Sequence, residues 1–171
     1  MNIVFLTRLY SPHIGGVEKH VYEISKRLKN KGDRITIITE NHGWKDEDNI
    51  NGLKIVRIHV GKEGMLKKFK VWIEIWKHMS ILSNADIIHC HDVFFWILPY
   101  KMFLLRKKIY VTFHGYESFP ISYKARIQRK IAERLTSGNI CIGDFISKWY
   151  KTIPTYVSYG GVEKQKRNIT N

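Results

Sequence analysis

The segment Val111-Thr112-Phe113-His114-Gly115-Tyr116-Glu117 joins an apolar run to a histidine, a glycine and a carboxylate. A histidine at the end of such a run can donate a hydrogen bond to a phosphate or a sugar hydroxyl, and it ordinarily titrates near neutrality. Gly115 lets a ligand approach the backbone. A strand-end histidine can equally be tied to a backbone carbonyl, and both roles fit the pattern. His89 and His91 alternate along one strand, so they share a face. His91 and Asp92 fall at its carboxyl end, where they can touch a ligand, whereas His89 reads as a core residue. An H-x-H pair is also a weak metal signature, but no third or fourth ligand lies near it in the sequence. No metal site is therefore expected.

A second group is Ser11-Pro12-His13-Ile14-Gly15-Gly16-Val17-Glu18. Asn2 to Thr7 reads as a buried strand before it, and Val17, Val21, Ile24 and Leu28 recur at helical spacing after it. Gly15 and Gly16 thus fall where a strand becomes a helix N-terminus. Free backbone N–H groups and the positive end of the helix dipole make that place a candidate phosphate site. A tight strand-to-helix turn needs the same small residues. Glu18 lies in the first helical turn, where a carboxylate complements the dipole. Glu117 and Glu163 have no partner for paired acid–base work. The chain has no Gly-x-Ser-x-Gly elbow, no Walker loop and no Gly-x-Gly-x-x-Gly fingerprint, which excludes hydrolases, P-loop NTPases and ordinary dehydrogenases of those types.

The elements that must position these residues alternate. Strands are expected over 2–7, 34–40, 53–60, 86–91, 108–113, 139–142 and 155–158. Helices are expected from Val17 to a C-cap at Gly32, and over 65–82, 93–105, 122–136 and 144–150. Residues 41–52 read as a polar loop. Such alternation implies an α/β fold: a Rossmann-like, mainly parallel sheet with helices on both faces. Ligands of such sheets bind beyond the carboxyl ends of the strands. That rule selects the loops at 8–16, 41–52, 91–92, 114–120, 143–145 and 159–163. Residues 1–163 form one expected domain, and 164–171 a polar tail.

The chain has 171 residues, is 44% hydrophobic and carries a net charge of +14. The length supports one domain with a real core. The charge favours anionic partners, although basic residues can also reflect overall genome composition. No RRM, KH, helix-turn-helix or zinc-finger signature is present, so no nucleic-acid partner is expected. No apolar run is long enough to cross a bilayer and no signal peptide is evident. Cys90 and Cys141 lie in apolar segments and read as buried thiols of a cytoplasmic protein. In the helix 65–82, Met65, Phe69, Trp72, Trp76 and Met79 form one stripe, with Lys67, Lys70, Glu74 and Lys77 on another. That pattern suits an anionic membrane surface, or an ordinary helix with its aromatic stripe in the core.

In this order the pieces resemble the N-terminal half of the family 4 glycosyltransferases, the large retaining family with the GT-B fold. The glycine loop at 11–18 resembles the family's opening loop, and Gly32-Asp33-Arg34-Ile35-Thr36 its second strand. Asp86-Ile87-Ile88-His89-Cys90-His91, Val111–Glu117 and Val157-Ser158-Tyr159-Gly160-Gly161-Val162-Glu163 are similar to three further family motifs. Gly160, and Gly143-Asp144, depart from the family pattern, and the family's C-terminal domain is not in the chain.

The resemblance implies an acceptor-side domain of an enzyme that uses a nucleotide-diphosphate sugar. Gly15 and Gly16 would face the donor diphosphate, and His114 would stabilise the departing charge. His91, Asp92, Gly115, Tyr116 and Glu117 would line the acceptor side. No cofactor or metal is required. The implied partners are the nucleotide sugar, a glycan or lipid-linked acceptor, an anionic membrane surface at the cytoplasmic face, and a C-terminal donor-binding domain in cis or as a separate subunit. The alternative is a non-catalytic binding or membrane-docking subunit of a split glycosyltransferase.

Overall fold

A computed structural model describes residues 1–61, 64, 66–115 and 120–159. Its strands are β1 (Asn2–Thr7), β2 (Arg34–Glu40), β3 (Glu47–Ile50), β4 (Leu53–Ile58), β5 (Ile87–His91), β6 (Lys108–Phe113), β7 (Gly138–Ile142) and β8 (Tyr156–Ser158). The helices are α1 (Gly16–Asn30), α2 (Lys67–Lys77), α3 (Met79–Ser83), α4 (Tyr123–Leu135) and α5 (Asp144–Tyr150). The strands form one sheet in the order β3-β4-β2-β1-β5-β6-β7-β8. Every pairing is parallel except β3 with β4. The expected Rossmann-like α/β sheet is therefore present, and its chain reversal puts β1 and β5 side by side at the centre.

The two-residue period of β1 sorts the core into two layers. Ile3 and Phe5 face one side, where they pack with Ile35, Ile37, Leu53, Ile55 and with Val21 of α1. Val4 and Leu6 face the other, with Val71 and Ile75 of α2, Leu82 of α3, Trp96, Ala132 of α4 and Ile146 of α5. Phe5 also lies 5.4 Å, ring to ring, from both His89 and His91. Truncating it to alanine would cost about 3–5 kcal/mol and uncover both imidazoles.

Helix α1 ends as expected at Gly32. Its φ of 92° is the left-handed conformation of a C-terminal cap. Gly32 N–H reaches the Lys29 carbonyl at 2.8 Å and Asp33 N–H the Leu28 carbonyl at 3.2 Å.

Three expectations are corrected. The loop 41–52 contains β3, which pairs antiparallel with β4 through Asn51 and Gly52, at φ 53° and 74°. An Asn-Gly pair between two extended segments is the strongest short-range hairpin signal, because both residues accept positive φ. The 65–82 helix breaks at His78 into α2 and α3. The 93–105 segment holds two short 3-10 turns, Phe94–Trp96 and Leu98–Tyr100, in place of an α-helix. Pro99 has no N–H for the Phe95 carbonyl that a helix would pair with it. The indole N–H of Trp72 donates to that carbonyl instead, at 2.9 Å. Phe94, Trp96, Ile97 and Leu104 are all buried, so the segment is apolar because it is enclosed. The boundary at residue 163 and the 164–171 tail lie outside the described residues.

Candidate active site

Four imidazoles converge at the carboxyl ends of the central strands. The register aligns Thr7 of β1 with His91 of β5, and His91 with Thr112 of β6. His89 and His91 therefore point to the face that α1 covers. Their rings stack with centroids 4.5 Å apart. His89 Nε2 lies 2.7 Å from Thr112 Oγ1. His114 follows β6 directly, and its Nε2 is 2.9 Å from His91 Nδ1. From α1, His20 meets His114 edge-on, 4.9 Å between ring centroids, and lies 6.0 Å from His91.

His20 is the member that sequence reasoning missed. The signal was present: His20 is three residues beyond Val17 and four before Ile24, on the apolar stripe of α1. The absence of a third imidazole near His89 and His91 holds along the chain but not in space.

Burial lowers the basicity of the whole cluster. It pushes His89 down to about 4, aided by the charge of His20. His91 is held well below its usual range, first by burial and then by its three imidazole neighbours. His114 is lowered to about 3, again first by burial, then by His20, His89 and Arg129. His20 is lowered by burial. All four are neutral at pH 7, so His114 does not titrate near neutrality as its residue type suggests.

Neutrality makes the proton positions an accounting problem. His91 is buried, and its Nε2 has no partner among the described residues. An unpaired buried N–H is costlier and rarer than an unpaired acceptor. The proton of His91 therefore belongs on Nδ1, from which it is donated to His114 Nε2. His114 then carries its own proton on Nδ1, as a neutral donor for a ligand.

Asp92 and Arg129 hold the loop that carries His114. Asp92 has a φ of 58°. Both its carboxylate oxygens accept from the His114 backbone N–H, each at 3.2 Å. The buried Arg129 of α4 donates to the Gly115 carbonyl and lies 4.0 Å from the Asp92 carboxylate. Its guanidinium stacks 3.7 Å from the Tyr150 ring centroid and 4.6 Å from that of Phe113. A Cβ on Gly115 would meet nothing within 4 Å among the described residues.

The other expected residues divide. His91 is buried, with its Nδ1 against His114 Nε2. Tyr116 and Glu117 lie outside the described residues. Gly15 caps α1 with extended backbone, and a Cβ there would strike the Glu18 carboxylate. Glu18 thus lies against the helix N-terminus, where its charge complements the dipole. A Cβ on Gly16 would meet nothing within 4 Å among the described residues. Buried Arg57 fixes this loop from below, donating to the Ser11 carbonyl at 3.1 Å and to the Lys45 carbonyl at 2.9 Å.

Among known proteins, the chain is 32% identical over 89 residues to the gpi3 subunit of the phosphatidylinositol N-acetylglucosaminyltransferase of Schizosaccharomyces pombe. The match covers 48% of this chain and 19% of that protein. The fold is similar to sucrose-phosphate synthase from Thermosynechococcus elongatus, with a TM-score of 0.69 at 11% identity, over 91% of this chain and 47% of that one. It is also similar to Anabaena HepE, solved in complex with UDP and glucose, with a TM-score of 0.60 at 16% identity, over 94% and 44%. The chain thus spans less than half of each solved protein, and has the Rossmann-like architecture of one half of a GT-B glycosyltransferase. Residues 14–164, which include every imidazole of the cluster, match one family throughout, and the chain belongs to Glycosyltransferase Family 4.

Proposed function

We propose that this domain is the acceptor-side half of a retaining glycosyltransferase of the hexosyltransferase type. The donor is a nucleotide-diphosphate sugar and the acceptor a lipid-linked or cell-envelope glycan. The observation that carries the reading is His114, a neutral imidazole held rigidly at the sheet's carboxyl edge with one N–H left to give. A donor fixed in place before reaction stabilises charge as it develops on a departing phosphate, without first reorganising solvent. The open backbone at Gly15 and Gly16 supplies further N–H groups for the diphosphate once the Glu18 carboxylate swings aside. This chemistry needs no divalent metal. Asp92 and Gly115 border the space for the acceptor. The rest of the donor site comes from a C-terminal domain, in cis or as a separate subunit; the short share of the relatives covered by this chain supports that division.

The surface supports delivery from a membrane. No helix among the described residues is long and apolar enough to cross one. The core side of α2 is Val71 and Ile75, so Phe69, Ile73 and Trp76 are exposed. The aromatic stripe expected in the sequence therefore faces outward in part. Met102, Phe103 and Leu105 are also exposed, and the Trp76 and Phe103 rings lie 5.9 Å apart. Lys68, Lys70, Lys77 and Arg106 are exposed on the same two segments. Apolar rings among cations suit the headgroup boundary of an anionic bilayer at the cytoplasmic face.

The test is transfer by the complete enzyme, with its donor-binding domain, from a nucleotide sugar to a lipid-linked acceptor. His114→Ala should lower turnover about 100-fold or more, the scale of a lost charge-stabilising donor, with an unchanged circular dichroism spectrum. Full turnover in a folded variant would remove His114 from the reaction. Vesicle binding with no transfer and no response to sugar nucleotides would establish a docking subunit instead.

A further inference from the structure

We propose that His20, His91 and His114 form a binding site for a divalent transition metal of the zinc type, at the mouth where the sugar nucleotide would sit. One ligand nitrogen from each residue lies within 4.8 Å of the other two. His91 Nδ1 and His114 Nε2 are already 2.9 Å apart. Nitrogens bound tetrahedrally at roughly 2.0–2.1 Å from zinc stand about 3.3 Å from one another. Two ligands are thus close to the required separation, and a rotation of the half-buried His20 side chain brings in the third. Their origins make the set stiff: His91 comes from the central strand, His114 from the end of its neighbour and His20 from the helix covering both. His20 and His114 are half-buried, which leaves an approach for the ion and a place for water as fourth ligand.

Imidazole suits zinc, copper and nickel, and only its neutral form binds. Two effects oppose binding. When Nδ1 of His91 takes the metal, its proton moves to the buried Nε2, where the N–H is left unpaired. Arg129 adds a positive charge nearby, offset by the Asp92 carboxylate 4.0 Å from it. Three imidazole–metal bonds replace that one pairing. The metal would take Nε2 of His114, the nitrogen that faces His91, and leave the Nδ1–H of that ring in place. The site itself does not rest on the proposed function.

The experiment is calorimetric titration of zinc chloride into the purified chain at pH 7.5. One site per chain is expected. His20→Ala should weaken it at least tenfold, because the sheet histidines stay in place and one ligand is lost. His114→Ala should weaken it similarly. His13→Ala, which alters a histidine pair elsewhere (His13 and His42, 5.0 Å apart), should leave it unchanged. Absence of a one-to-one site would overturn the proposal, as would undiminished wild-type affinity in folded His20→Ala and His114→Ala. The titration contains no sugar nucleotide, so its failure is separable from failure of the transferase reading.

Discussion

His91 Nδ1 lies 2.9 Å from His114 Nε2, and the remaining nitrogen of His91 is buried without a partner among the described residues. One contact therefore determines where the proton of the half-buried partner resides. A residue with no access to solvent decides which nitrogen of His114 can serve a ligand.

That assignment is open to direct measurement. Long-range proton–nitrogen correlation spectra should show His114 protonated on Nδ1 in the wild-type chain. His91→Asn keeps an N–H near the Nδ1 position and should preserve the tautomer. His91→Leu removes it and should leave a mixture, with turnover of the complete enzyme lowered about 5-fold, the value of one hydrogen bond. An Nε2-protonated His114 in the wild type would reverse the assignment.

Acid should destabilise the domain earlier than its carboxylates alone would dictate. An unfolded histidine takes a proton near 6.5, whereas folded His89 and His114 resist until about 4 and about 3. Between those limits the unfolded state binds more protons. Stability is therefore complete above pH 6.5 and falls as the pH drops toward 3. His89 alone contributes about 3 kcal/mol to that loss. Urea midpoints taken from pH 7.5 to 4.5 should fall steadily, and His89→Gln should flatten the slope. A constant midpoint across that range would contradict neutral buried imidazoles.

Arg129 joins stability to positioning. Arg129→Met keeps much of the packing against Phe113 and Tyr150 but drops the donor to Gly115 and the charge near Asp92. A loss of about 1–3 kcal/mol in urea unfolding is expected. The backbone resonances of His114 and Gly115 should broaden or shift while those of β1 stay fixed. If the His114 resonances do not move, Arg129 does not hold the loop.

Membrane docking has a salt signature. Cosedimentation with vesicles containing phosphatidylserine should weaken as salt rises from 0.05 to about 0.5 M, because screening shortens the range of the lysines. Trp76→Ser with Phe103→Ser should reduce binding about tenfold at low salt, since both rings are exposed and neither supports the core. Equal binding to neutral vesicles would show that charge is not part of the recognition.

Much of the fold was legible because it is local. The runs 2–7, 34–40 and 108–113 are strands where apolar and β-branched residues demanded them, and Ser122 caps α4, accepting from Ala125 N–H at 3.1 Å. The Asn51-Gly52 hairpin is equally local, although the flanking Glu47-Asp48-Asn49 is polar. An edge strand tolerates that composition, having one ladder exposed to water. The 93–105 segment misled for the opposite reason: apolar composition reports burial, and burial does not require a helix.

The candidate site divides along the same line. By itself the sequence determined that His89 and His91 share a face, that His114 ends a strand, and that two glycines precede α1, because strand period and helix-start chemistry act within a few residues. Only the tertiary structure placed β5 beside β1, across 84 residues between Ile3 and Ile87, and laid α1 over the face those histidines share. That pairing brought in His20, enclosed His91 and removed the cluster's charge. Desolvation and the meeting of distant rings depend on which surfaces pack together, and no local pattern encodes that choice.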